Sequence, residues 1–459
     1  MRNLTFLFIF LFALIFACRK DEIIDTNPSA KLDFSSDSIL FDTVFTKSGS
    51  TNRVLKVFNR NKNSVILSSI NLKGGNSSAF KININGVSSS TLSDIKIRGK
   101  DSIYVFVKAF INPDNKNSPF LVEDELNFTL NGKSEKIPLI AYGQNAVYFK
   151  DTYFTTNRTF TKDKPYLFFG EAVIGNLSTI TIEHGARLYF HKGAKLFIAG
   201  CLKANGTLTD SVTFNSDRLE RIYDDEPGQW QGLHFLRTSY DNLMNHATVK
   251  NALVGIRVDS LSINTNPKLL LANSIIKNHE VAGVLGYTAT ITGINNLIYN
   301  CGQFLLIGLY GGDYKFYQNT FANFNYSFPR KSPSVYLSNN LEDKGNLNKA
   351  LNATFTNNII YGSLNRELEA NQIGNSQFSL NFQNNLIKTD QMSSWGLSNL
   401  FNTDPLFINS RKEEYKLEKT SLAIVKGQNL TLNIYYSNYL IKDLGGKTRV
   451  FPSTLGCFE

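Results

Sequence analysis

Sulfur is scarce in this sequence. Its 459 residues include four cysteines (Cys18, Cys201, Cys301 and Cys457) and three methionines. Cysteines this few and this scattered exclude a disulfide scaffold and a CxxC metal site. No GxSxG, HExxH or Walker pattern occurs, so none of those nucleophile, zinc or phosphate-loop chemistries is written in the chain. No apolar stretch, the N-terminal run included, is long enough for a membrane-spanning helix. The formal charge of +10 comes from 48 basic and 38 acidic residues interspersed along the chain, so no basic block is present and nucleic acid is not the expected partner. Apolar residues are not scarce: at 42% they exclude wholesale disorder. The length suggests about two or three domains.

Asparagine is abundant, at 52 residues, with 35 phenylalanines and 20 tyrosines against five histidines. Asn disfavours helix interiors and suits turns, while Phe and Tyr suit strands. An all-β, turn-rich protein is therefore expected.

The N-terminus reads as an address over residues 1–17. Met1-Arg2-Asn3 is short and positive, and Leu4 to Ala17 is apolar except for Thr5. That run suits a signal h-region and is shorter than the roughly 20 residues of a spanning helix. Its end, Ile15-Phe16-Ala17-Cys18, resembles a bacterial lipobox, which implies Cys18 as the lipidated residue and several acyl chains as the membrane anchor. Arg19-Lys20-Asp21-Glu22 resembles the surface-export signal of Bacteroidota lipoproteins, carried here by Lys20, Asp21 and Glu22. The implied location is the outer membrane, facing outward. Residues 18–31, polar and containing Pro28, read as a tether. Asp37-Ser38-Ile39, Asp42-Thr43-Val44, Asp101-Ser102-Ile103, Asp210-Ser211-Val212 and Asp259-Ser260-Leu261 resemble the O-glycosylation pattern of the same phylum. Glycans on Ser38, Thr43, Ser102, Ser211 and Ser260 are what that resemblance implies.

Residues 32–146 show short alternating runs such as Val54-Leu55-Lys56-Val57-Phe58 and Ser102-Ile103-Tyr104-Val105-Phe106-Val107. Period two means one buried face per strand, and about seven such strands suggest an Ig-like sandwich. Val57-Phe58-Asn59-Arg60-Asn61, Ile70-Asn71-Leu72-Lys73-Gly74-Gly75 and the closing Pro138-Leu139-Ile140-Ala141-Tyr142-Gly143 resemble the abnormal-spindle/hydin-like Ig domains. That implies a spacer or docking module without chemistry.

Residues 147–440 repeat. The strings His246–Asn251, Asn273–Asn278, Asn295–Asn300, Gln318–Asn323, Asn357–Gly362 and Asn384–Thr389 each place an apolar pair between polar ends, with starts 27, 22, 23, 39 and 27 residues apart. A coil of three short strands needs about 22 residues, so the longer steps hold inserted loops. Asn stacked at equivalent turns would bond from coil to coil. The run from Ile180 to Gly206 followed by Gly228-Gln229-Trp230-Gln231-Gly232-Leu233 resembles the opening of right-handed parallel β-helix proteins. Residues 441–459 read as a C-terminal cap. Asp404-Pro405-Leu406-Phe407, Asp443 to Arg449 and Leu455-Gly456-Cys457-Phe458-Glu459 are similar to the choice-of-anchor ending of such proteins, with Asp443 and Arg449 as a capping ion pair at the last coil.

Many parallel β-helices are polysaccharide lyases or hydrolases, which need clustered carboxylates. The densest acidic run is Asp224-Asp225-Glu226, either a calcium or catalytic loop or, with more weight, a solvated turn. His279-Glu280 and Glu183-His184 are read as turns facing water. Cys201, Cys301 and Cys457 are read as packing residues. Tyr310, Tyr314, Phe316 and Tyr317 cluster, and Phe324, Tyr326 and Phe328 alternate just beyond them. An external face would make Tyr310, Tyr314, Tyr317, Phe324, Tyr326 and Phe328 a binding platform, and an internal one a core stack, the weightier reading. No catalytic residue, metal or cofactor is expected. The expected role is a surface-anchored, non-catalytic binding or structural module for glycan or for an outer-membrane assembly. The alternatives are a β-helix lyase or glycosidase and an accessory subunit of an outer-membrane complex.

Overall fold

Alternation of buried and exposed residues runs through strands of the N-terminal third. In Ser102–Ala109 the side chains of Ile103, Val105, Val107 and Ala109 are buried and those between them are exposed. The computed structural model describes residues 22–326, 329–341, 347–391, 395–396 and 398–459. It is almost entirely β and divides into two units between Asn145 and Ala146.

The first unit has two five-stranded sheets. One contains Arg53–Phe58, Ser102–Ala109 and Phe80–Ile84; the other contains Ile39–Phe45, Lys133–Gln144, Phe120–Leu130 and Val65–Leu72. Inward residues of both, including Leu55, Val105, Phe80, Leu67, Phe128 and Leu139, share one core. Two Asn-Gly turns close hairpins here, with positive φ at Asn85 and Gly86 and at Asn131 and Gly132. Only such residues adopt that conformation cheaply, and its twist matches that of the paired strands. The described part of the expected tether is not a free linker. Ile24 bridges Ser64, Asn131 Nδ2 donates to the carbonyls of Asp25 and Asn27 at 3.0 and 2.9 Å, and Glu22 pairs with Lys96.

The second unit is a 25-stranded sheet. Val254–Asp259, Leu269–Ala272 and Ile275–Lys277 follow one another as three faces of a coil. One turn later each pairs in parallel with its successor, Ile256 with Val284, Leu271 with Gly293 and Ile276 with Ile298. The last step is 22 residues (298 − 276). Inward side chains stack along the coil: Phe168 on Phe190 at 4.9 Å, Phe190 on Trp230 at 4.2 Å, and Phe316, Phe355 and Phe382 at 5.1 Å spacings. Trp395 lies against Phe382 at the far end of this stack, 5.4 Å away.

One corner explains the repeated strings. Their first residues, His246, Asn273, Asn295, Gln318, Asn357 and Asn384, all have φ between 46° and 61°. This left-handed turn is one that Asn tolerates better than most residues. The second residues form a buried ladder. Asn319 Oδ1 accepts both the N–H and the Nδ2 of Asn296 at 2.9 Å. Asn358 does the same for Asn319, Asn385 for Asn358, and Asn399 for Asn385. Each Nδ2 also donates to a strand carbonyl, so every rung is satisfied inside the protein.

The C-terminal segment is not confined to the last coil. It lies along the sides of the coils: Tyr415, Leu444 and Cys457 pack with Leu297, Tyr299 and Ala322, while Leu430 and Leu440 pack with Ala272 and Ile294. The expected Asp443–Arg449 pair is replaced by Arg449 with Glu459 at 3.2 Å. Arg449 also donates to Asn295 Oδ1 at 2.8 Å, and Asp443 accepts the N–H groups of Lys447 and Glu459 at 2.7 Å. The side-on docking follows from the apolar residues Ile275, Leu297 and Ile359 on outward strand positions, which need cover.

Candidate functional site

The acidic loop is a clamp. Asp224 pairs with Lys250, whose hydrogen bond holds the carboxyl below its ordinary range. Asp225 pairs with Lys277 at 3.2 Å and accepts Asn278 Nδ2 at 2.7 Å. Lys277 also meets Glu413 at 2.7 Å, and Glu413 accepts the Tyr299 hydroxyl at 2.7 Å. Burial disfavours the Lys277 ammonium, yet the hydrogen bond and charge of Glu413 raise its pKa on balance. Each of these three carboxylates is tied to a lysine, so none stands ready as acid or base. Among the described residues no group of three or more His, Cys, Asp and Glu side chains could hold a metal ion.

His279 does not face water. It is fully buried, with Nδ1 accepting the Ala252 N–H at 3.1 Å and Nε2 within 3.2 Å of the Val249 carbonyl. Burial lowers its pKa to about 4, which makes it neutral with the proton on Nε2. The turn reading fails because the coil corner folds inward at this position, next to buried Cys301. Glu280 is exposed. His184 is exposed and pairs with Asp210 at 2.8 Å; His191 pairs with Asp217 and His234 with Asp259, both at 2.7 Å. These partners lie 25 or 26 residues on, about one turn of coil, a spacing that is visible in the sequence. Cys201, Cys301 and Cys457 are buried and free, and burial pushes the thiols of Cys301 and Cys457 up to about 12.

The aromatic residues do not form one platform. Tyr314 and Phe316 are fully buried in the coil, because alternation points them inward. Tyr310 lies 5.8 Å from Tyr287, under Lys349 Nζ, and Tyr317 packs beside Tyr435 and Tyr436. Phe324 and Tyr326 stack at 5.8 Å on a surface shared with Phe407 and Tyr415, and Tyr326 is 51% exposed. Cys18, Lys20, Asp21 and Phe328 lie outside the described residues. Of the five glycosylation positions, Ser211 is exposed, while Ser38, Thr43, Ser102 and Ser260 are half-buried. The Ser260 hydroxyl is already engaged: buried Lys268 donates to it at 2.8 Å and to the Arg237 carbonyl at 2.6 Å.

A further surface was not anticipated. On the first unit, a cleft of about 660 Å³ is lined by Asn52, Leu72, Asn76, Lys81, Ile82, Asn83, Ser88, Ser89, Ser90, Phe106 and Lys108. The register builds it: Asn83 pairs with Ser88 on one side and Phe106 on the other, Phe106 pairs with Val54, and Lys81 pairs with Lys108. Ile82 and Ile84 point into the core, so Asn83 and Phe106 point out. Phe106 is 37% exposed and stacks on Tyr104 at 6.4 Å. Asn83 Nδ2 donates to Ser88 Oγ at 2.9 Å, Asn76 Oδ1 accepts Ser90 Oγ at 2.7 Å, and Lys81 Nζ donates to the Asn76 carbonyl at 3.2 Å. An aromatic face with amides, hydroxyls and ammonium groups can stack on and hydrogen-bond a polar ring. The lining has no carboxylate, histidine or cysteine; its polar groups are amides, hydroxyls and the two lysine ammonium groups. The Asn85-Gly86 turn was the sequence signal for the hairpin that supplies Ser88.

In comparison with known proteins, no family model matches the chain, and no curated protein does. Solved structures match, two of them over about a quarter of the chain. One is a family 123 glycoside hydrolase from Clostridium perfringens, at 9% identity and a TM-score of 0.19, covering 27% of this chain and 31% of that one. Another is the E. coli chaperone DraB, at 10% identity and a TM-score of 0.18, covering 26% and 56%. The chain thus spans well under two thirds of either, and neither likeness carries a functional argument.

Proposed function

We propose that this chain is a surface-anchored, non-catalytic lipoprotein of the Bacteroidota type that binds an acidic glycan. The cleft beside Phe106 carries the reading: a stacking ring, three Asn and three Ser side chains for hydroxyl groups, and Lys81 and Lys108 for an acidic substituent. The anchor rests on the lipobox resemblance at Ala17-Cys18 and on the Lys20, Asp21 and Glu22 export signal. We read the second unit as a right-handed parallel β-helix, supported by pairing of each strand with its successor one turn on and by the general handedness of parallel crossovers. The two-sheet unit is read as an Ig-like domain that does the binding, rather than a spacer without chemistry. The paired carboxylates of the second unit speak against the lyase and glycosidase alternative.

The test is calorimetric titration of residues 22–459 with acidic and neutral oligosaccharides, with reducing ends assayed in parallel. Saturable binding of an acidic oligosaccharide without chain shortening is expected. Product formation, or binding of neither class, would overturn the proposal.

A further inference from the structure

The segment after residue 420 holds aliphatic side chains out in water. Leu432 is 98% exposed and Ile434 82%. They sit on an ordered turn. Tyr436 N–H donates to the Asn433 carbonyl at 2.9 Å, Asn433 N–H donates to the Leu430 carbonyl at 2.9 Å, and the Asn429 and Asn433 side chains accept the N–H groups of Thr431 and Tyr435. Leu430, buried with Ala272, Ile294 and Leu440, fixes the turn to the coil. The backbone is therefore held in a shape whose result is to project two large aliphatic side chains into water, exposed among the described residues. Apolar surface left in water at a fixed tip marks a contact site.

Its surroundings favour one kind of partner. From Lys419 to Lys442 there is no acidic residue, and Lys426 and Lys442, both exposed, flank the turn. Tyr435, Tyr436 and Tyr439 follow the tip and are half-buried, with the Tyr435 and Tyr439 rings 6.5 Å apart. Aliphatic tip, tyrosines next to it and lysines at the margins match the layers of an anionic bilayer counted from its interior outward: acyl chains, interface, headgroups. A protein partner would be better matched by a flat apolar patch rimmed with both charges.

We propose that the 429–436 turn inserts Leu432 and Ile434 into the surface of an anionic lipid membrane, with Lys426 and Lys442 at its phosphate headgroups. This contact is separate from any lipid on Cys18 and from glycan binding in the cleft.

The test is flotation of residues 22–459, which carry no lipid, with phosphatidylcholine vesicles and with vesicles containing phosphatidylglycerol. The wild type is expected to float with the anionic vesicles, less so at high salt. The Leu432→Ser/Ile434→Ser double variant should partition about tenfold more weakly while keeping its circular dichroism and melting temperature, since both side chains already face water. Equal flotation of wild type and variant would overturn the proposal, as would failure to float with either vesicle. Self-association of the wild type without vesicles that the variant loses would also overturn it, in favour of a second copy of the chain.

Discussion

Asparagine serves opposite ends in the ladder of the coil and in the cleft of the first unit. In the coil, Asn296, Asn319, Asn358 and Asn385 are buried, and each gives its amide to the rung before, the rung after and a strand carbonyl. In the cleft, Asn52 and Asn76 are exposed and Asn83 is half-buried. An amide has two donors and two acceptor positions, and a buried one must spend them within the chain. The lesson is that residue type does not separate architecture from binding. What separates them is whether the partners lie inside the fold. The coil spends its polar groups on itself, and the cleft leaves part of its own facing water.

The comparison can be broken at its strongest point first. Arg330 and Glu367 are both fully buried, with Arg330 Nη2 at 2.6 and 2.8 Å from the two carboxylate oxygens. Glu367 also accepts the N–H groups of Leu364 and Ser334 at 2.7 and 3.2 Å. Glu367→Gln leaves a buried guanidinium uncompensated and is expected to destabilise the coil by about 3–5 kcal/mol, read as a lower urea midpoint. Glycan affinity should not change, because the pair is not among the cleft's lining residues. A midpoint shift near zero would mean that the coil does not depend on its internal pairing.

The next largest effect is pH-dependent. His279 has a folded pKa of about 4 against about 6.5 when unfolded. As pH falls from 6.5 towards 4 the unfolded chain takes up a proton that the folded chain refuses, so stability is lost over that window. The loss amounts to about 3 kcal/mol. His279→Asn, which can still accept the Ala252 N–H, should show a correspondingly shallower fall in urea midpoint. An unchanged slope would show that the corner tolerates an imidazolium.

Much of the coil was legible in the sequence. The six strings mark six equivalent corners because a left-handed turn selects Asn and a shared rung selects it again. The buried His279 was misread because, out of context, a His-Glu pair looks like any polar turn; only the coil geometry places it beside Ala252 and Cys301. The partner of Arg449 was misassigned because Glu459 reaches it through the fold of the last residues, while Asp443 is spent on backbone N–H groups. The aromatic residues between Tyr310 and Tyr326 divide between core and surface because the strand alternates, which a count of aromatics does not register. The cleft was invisible for a different reason. Asn52, Asn76, Asn83 and Phe106 are distant in sequence and meet only through antiparallel register.

The smallest energetic effect bears most directly on function. Phe106→Ala removes the cleft's ring from an outward strand position, so stability should change by no more than about 0.5 kcal/mol. Titration of this variant with the acidic oligosaccharide bound by the wild type is the decisive measurement. About tenfold weaker binding with an unchanged urea midpoint is the predicted result. Undiminished affinity would contradict the assignment of the cleft as the binding site.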